Sequence, residues 1–296
     1  MTLGQILRDN AQDIALVIGN GIHLHRAAGV SSWDRLLIDL ARQNGLAVDQ
    51  RPVGATATEF YDVIDLRAGG GSGDLALAFC REMQGWQAQD HHRRIMGWAV
   101  RHAVPVMTTN FDEVLSKAVA AKWMRPKVPG FTYWYPWDNR FAHMLHDDPC
   151  DGFGVWHING IARYKRSVRL GLTHYIGLAQ RARAWLHRGG NRLFEARDKR
   201  NWPGRRTWLH LIFNKPLLFF GLGLREDEVF LRWLLIERER YFRKFPDRRQ
   251  PAWFVYTHDP KDETEAGRIF FLQGIGITCV RTDDFSEIYD IAAWDA

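Results

Sequence analysis

Six short apolar runs, spread along the chain and separated by stretches with helical spacing, restrict this sequence to an alternating α/β architecture. Residues 14–18 (IALVI), 104–107, 154–158, 217–220 (LLFF), 252–256 (AWFVY) and 277–280 are too short for core helices. Most are apolar throughout rather than alternating, which is the pattern of strands buried on both faces of a parallel sheet. Between them, Ser31-Ser32 precede Leu36, Leu37, Leu40 and Ala41 at helical spacing, with Asn44-Gly45 as a stop. Further helices are expected over 50–100, with a flexible joint at 69–73 (GGGSG). A helix follows Asp112-Glu113, whose carboxylates suit its first turn, and a mostly helical segment runs from 175 to about 199. The helix at 226–241 carries Val229, Phe230, Trp233 and Leu234 as a core stripe. Shorter helices follow at 264–272 and at the C-terminus, while residues 124–152 read as irregular. The expected fold is a doubly wound, Rossmann-like parallel sheet with inserted helical segments. It forms one domain over 1–296, with helical insertions at about 50–100 and 163–210.

Composition excludes several classes. The 296 residues are 46% apolar and 13% aromatic, including 13 Trp, which is ample to offset the entropy of ordering a core and argues against disorder. The greasiest stretch, 209–224, is interrupted by His210, Asn214, Lys215 and Pro216, so no run reaches the ~20 residues of a membrane span. The N-terminus does not read as a signal peptide. Cys80, Cys150 and Cys279 are isolated and cannot build a four-cysteine zinc module or a disulfide framework. That fits a cytoplasmic setting and no metal. Charge is unevenly placed: 13 Lys/Arg against two acids between 163 and 206 give +11, within a total of +6. This segment could dock nucleic acid or an acidic partner, but a solvated helical face is favoured over either.

Open α/β sheets bind ligands beyond the carboxyl ends of their strands, and four of those ends are distinctive here: GNG at 19–21, TTNFD at 108–112, WHING at 156–160 and GLG at 221–223. Gly19-Asn20-Gly21 could bring backbone amides close to a pyrophosphate, or could be a tight turn. Leu24 stands where a dehydrogenase fingerprint needs its third glycine, which counts against hydride transfer. Asn110 can hold a ribose hydroxyl or a water through a donor and an acceptor, or it can cap the following helix, with Asp112 beside it. His157 and Asn159 share one face of a strand end. There His157 is either a general base or a core histidine.

In this order the four motifs resemble those of the sirtuin-like NAD-binding family: a Gly-x-Gly first turn, a T-x-N-x-D loop, a strand ending in H-G, and a glycine turn before an acidic helix start. The segments WFVYTH and EAGRIFFLQGIGITCV are similar to the bacterial branch. The resemblance spans roughly 12–285. It departs from the deacylases in having no zinc module, and Asn159 stands where the usual catalytic histidine precedes the glycine, with His157 two residues earlier. The resemblance implies an NAD hydrolase that cleaves the nicotinamide–ribose bond to give nicotinamide and ADP-ribose or a cyclic isomer. It implies an effector of anti-phage defence, with NAD as substrate and no metal. Control would come from homo-oligomerisation or from a separately encoded ATPase or nucleotide-sensor partner. Asn110 would position ribose and water, His157 would accept the proton, and Asp112 would hold Asn110 or the ribose pocket. Gly19, Asn20, Gly21, Thr109, Asn159, Gly221 and Gly223 would contact NAD, the first three at the phosphates and the last two near the adenosine. The rival expectations are a catalytically weak nucleotide-binding module that signals to a partner and, less favoured, an NAD-dependent deacylase.

Overall fold

The computed structural model describes residues 1–26, 32–69, 74–126, 135–196, 198 and 201–296. Among them is one eight-stranded sheet built from β1 (Ala15–Ile18), β2 (Pro105–Thr108), β3 (Lys122–Met124), β4 (Arg140–Ala142), β5 (Gly154–His157), β6 (Leu217–Phe220), β7 (Ala252–Thr257) and β8 (Thr278–Thr282). Their spatial order is β3-β4-β5-β2-β1-β6-β7-β8. From β5 to β8 every neighbouring pair is parallel. The chain winds outward from β1 through β2 to β5, then returns to β1's other side at β6, so the fold is the expected doubly wound α/β sheet.

The strands bury alternate residues on opposite faces. Ala15, Val17, Leu217, Phe219 and Phe254 belong to a core under helices Leu172–His187, Trp208–Asn214 and Val229–Lys244. Leu16, Ile18, Leu218, Phe220 and Val255 belong to a second core, under helices Leu3–Asn10 and Asp90–Arg101. Both faces being covered explains why these strands are apolar throughout. A third cluster unites helices Trp33–Gln43, Ala57–Arg67 and Asp74–Glu82 through Leu37, Phe60, Ile64 and Phe79, and it includes Phe111 from the loop after β2. This helical layer therefore meets the sheet at one of the distinctive strand ends. Helix Trp33–Gln43 starts where Ser32 accepts a hydrogen bond from the Arg35 amide (3.3 Å), and helix Ala57–Arg67 starts at a capping box of Thr56 and Glu59.

Three expectations are corrected. The stretch expected to be irregular, 124–152, contributes β4, and β3, which was not expected, ends at its first residue. β4 runs antiparallel to both of its neighbours, with Phe141 opposite Val155, so the sheet is mixed at this edge. Strands of three residues carry no periodicity of their own, and β4 forms where the buried Phe141 meets Val155 of β5. The helix expected to reach about 199 ends at His187: Arg188 is extended and Gly189 takes a φ of +84°, so Gly189-Gly190 stops it. Helix Asp90–Arg101, expected within the insertion, packs directly on the sheet. The joint at 70–73 lies outside the described residues.

Candidate active site

Strand register brings the motifs together. Ile18 pairs with Thr108 on one side and with Phe220 on the other, and Thr108 pairs with His157. The residues that follow therefore emerge at one level, with adjacent strands about 4.8 Å apart. Thr108 ties the loops further: its hydroxyl donates to the Ile18 carbonyl (2.8 Å) and accepts from the Asn110 amide (3.1 Å).

The glycines let two turns touch. A Cβ at Gly19 would overlap Leu222, and one at Gly21 would lie 2.9 Å from Gly221 Cα. The Gly21 amide donates to the Gly221 carbonyl at 2.6 Å, so it is engaged by the neighbouring turn rather than presented to a ligand. Gly221 has a φ of +70°, a left-handed conformation that favours glycine.

Over this switch point lies a cavity of about 480 Å³, within the usual range for small-molecule sites. Asn20, Gly21, Thr109, Asn159, Gly221 and Gly223 all line it. Gly19 does not, and neither do Asn110, Asp112 and His157, which stand behind the wall that Thr109, Phe111 and Asn159 present. The cavity's charges are largely paired. Arg51 meets Asp34 (2.9 Å) and Asp227 (3.6 Å), while Asp262 meets Arg268 (2.9 Å) and Arg225 (3.4 Å).

Glu228 also lines the cavity, and burial, with Asp227 adding repulsion, pushes its carboxyl up to about 7. Because this lies above the ordinary value, Glu228 is tolerated best while protonated, and stability falls as pH rises through 7. Glu228→Gln should raise unfolding free energy at pH 8.5 by roughly 2 kcal/mol, with the gain vanishing below about pH 5. Denaturant titrations across that range check this, and a pH-independent difference would contradict it.

Behind the wall, four side chains interlock. His157, wholly buried, donates through Nδ1 to the Asn110 backbone carbonyl (2.7 Å), which leaves Nε2 as a lone pair without a protein partner. Burial lowers its pKa, only partly offset by that carbonyl and by Asp112, so the ring is neutral. Asp112 accepts from the Val114 amide (2.9 Å), the first of helix Val114–Ala118, whose N-cap residue is Glu113. Burial opposes ionisation of Asp112, but His23, the Val114 amide and His157 outweigh that and hold its carboxyl down to about 2. Asn110 is not the cap of that helix, and its side-chain amide is directed at His23 instead. Its Nδ2 lies 3.0 Å from His23 Nε2, and its Oδ1 has no protein partner. His23 Nε2 is also 3.0 Å from Asp112 Oδ2.

His23 was not among the residues singled out from the sequence, nor were His91 and His92 on helix Asp90–Arg101, which hold it. His91 Nε2 donates to the Ile22 carbonyl (2.7 Å), and His92 Nε2 lies 2.9 Å from His23 Nδ1. The available signal was a histidine two residues after the glycine turn and an adjacent histidine pair opening a helix. No spacing rule links positions 69 apart.

Among the described residues, Asp148, Cys150 and His210 are close enough together to hold a metal ion. The Trp202 indole argues against it. An indole nitrogen only donates, and it donates to His210 Nδ1 (3.0 Å), so the ring proton sits on Nε2, 3.6 Å from Asp148. A protonated nitrogen cannot ligate.

No helix among the described residues is long and apolar enough to cross a membrane. No curated protein matches the chain. The SIR2-like domain family matches residues 105–280, which run from the first residue of β2 into β8 and include three of the four strand-end motifs. More than half of the chain is covered, and the chain belongs to the SIR2-like domain family, whose members are commonly NAD-processing enzymes.

Proposed function

We propose that the protein hydrolyses the nicotinamide–ribose bond of NAD. The observation that carries this reading is a ligand-sized cavity at the switch point, backed by a buried imidazole nitrogen and an amide end that lack protein partners. Unpaired buried polar atoms are costly, and a hydroxyl or water would satisfy both. In the reaction the bond between ribose C1′ and the pyridinium nitrogen breaks, and its electron pair leaves with neutral nicotinamide. A water oxygen bonds to C1′, and the proton it loses passes to His157 Nε2. The leaving group is already cationic, so no strong acid is required, and the protein's work is orientation and exclusion of competing groups. Asn110 orients the ribose or the water, Asp112 holds Asn110 in place through His23, and Asn20, Thr109, Asn159, Gly221 and Gly223 contact NAD.

The resemblance of the strand-end motifs supports a role as an NAD-depleting effector in anti-phage defence. In that role it is restrained by assembly or by a separately encoded partner, because unrestrained turnover would be toxic. One observation favours a rival: Asn110, Asp112 and His157 do not line the cavity, as expected of a module that binds NAD and signals without turning it over. Nicotinamide release from NAD by the purified protein, with and without acetylated peptide, separates these readings. Peptide-independent release supports the hydrolase, strict peptide dependence supports a deacylase, and NAD binding without release supports the binding module.

A further inference from the structure

Asn110 meets His23, and behind His23 stands His92, a line of three buried side chains that the proposed chemistry does not itself require. We propose that His92 and His23 form a fixed-tautomer relay whose function is to turn the Asn110 side-chain amide so that its NH2 group, and not its oxygen, is offered to the substrate. The proposal rests on the NAD hydrolase reading for its consequence, but not for its geometry.

The relay begins at a group whose role is certain. The backbone amide of Gln89 donates to His92 Nδ1 at 3.1 Å, and a peptide N–H can only donate. Nδ1 of His92 therefore carries the lone pair, and the ring proton lies on Nε2. Burial, reinforced by the neighbouring His23 and His91 rings, holds the pKa of His92 down to about 2, so the ring gains no second proton at working pH. Its Nε2–H then donates to His23 Nδ1 at 2.9 Å, which makes that nitrogen an acceptor and places the His23 proton on Nε2. This N–H faces Asp112 Oδ2 and the near end of the Asn110 amide, each at 3.0 Å. Asp112 is an ionised carboxylate, which requires a proton on the ring nitrogen that faces it. An NH2 group in the near position would set donor against donor, so the near atom of Asn110 is the oxygen.

The structure sets Nδ2 near His23 and Oδ1 at the far end, donor against donor, so the relay turns the amide over and puts its NH2 group at the far position, which is fully buried and has no protein partner. Together with the open lone pair of His157 Nε2, the site offers one donor and one acceptor, the pair that a ribose hydroxyl or a water requires. Had His92 presented a lone pair instead of a proton, each assignment would invert and Asn110 would offer an oxygen. His91 Nε2–H, bonded to the Ile22 carbonyl at 2.7 Å, anchors the short helix Gly21–Leu24 that carries His23, so the ring has little freedom to escape.

His23 and His92 are positioning residues, since they act through the Asn110 side chain. The test combines a readout of tautomer with one of turnover. In full-length protein labelled with 15N-histidine, the ring-nitrogen shifts of His23 and His92 at pH 7 should both report the Nε2–H tautomer. A Nδ1–H form of His23, or an averaged mixture, overturns the relay without reference to activity. His92→Gln retains a side-chain N–H directed at His23, and should keep both the His23 tautomer and kcat for nicotinamide release within about threefold. His92→Leu removes the donor at similar bulk and should mix the His23 tautomers. It should lower kcat at least about tenfold with KM little changed. Unaltered His23 shifts and kcat in His92→Leu would overturn the proposal, as would equal losses in both variants, which would indicate packing alone. Should the wild type release no nicotinamide, the hydrolase reading fails while the nitrogen shifts still decide the relay.

Discussion

Asn110→Ala should lower nicotinamide release from NAD by about 10²–10³-fold, the usual cost of deleting one oriented polar group from a water-excluded site. Two features make the effect large. The side chain is fully buried, so no solvent water is placed to substitute for it, and its backbone carbonyl holds His157 Nδ1 (2.7 Å). The alanine variant keeps that carbonyl, and the loss therefore reports on the amide itself. His157→Ala should cost a similar ~10²–10⁴-fold if Nε2 accepts the proton. Release of nicotinamide by purified protein and thermal unfolding, measured side by side, separate chemistry from folding. Turnover equal to wild type in Asn110→Ala would remove this residue from the mechanism.

Gly160→Ala should be among the most destabilising single-methyl additions in the molecule, by roughly 3 kcal/mol or more. Gly160 has a φ of +101°, outside the range that side-chain-bearing residues adopt readily. A Cβ there would also run into the Ser167 carbonyl and sit 2.8 Å from Val168 Cα. Both obstacles are backbone, so no rotamer change relieves them. The surrounding loop is tied on several sides: Ser167 Oγ accepts from the Ile161 amide (2.9 Å), and the Asn159 carbonyl accepts from the Arg169 amide (2.8 Å). Gly45 provides the control, with a φ of +76° but nothing within 4 Å of its added methyl, so Gly45→Ala should cost only about 1 kcal/mol. Equal costs for the two substitutions in denaturant unfolding would show that the dihedral alone, and not the contact, governs this turn.

Much of the fold was legible because parallel strands covered on both faces need no phase. The runs at 14–18, 104–107, 154–158, 217–220, 252–256 and 277–280 each correspond to a strand within one or two residues at either end. The glycine, asparagine and histidine motifs that follow them were legible as strand ends for the same reason. β3 and β4 were not, since three-residue strands owe their existence to pairing with a sheet already in place. The role of Asn110 was open on local grounds, because Asn and Asp cap helices equally well. Only the structure, in which Glu113 is the N-cap and Asp112 takes the Val114 amide, removes Asn110 from that role.

Residue order alone thus determined which segments are strands, which ends carry chemistry-bearing side chains, and that three isolated cysteines cannot build a zinc module. Those properties follow from hydrophobicity and composition, which are carried by each residue wherever it lies. Tertiary structure decided that the glycine turns pack against each other, that Asn110, Asp112 and His157 lie behind the cavity wall, and that His23 and His92 support them. The reason is that a ring's tautomer and an amide's orientation are set by whichever donor lies 3 Å away. For His23 that donor is brought in from a helix 69 residues along the chain.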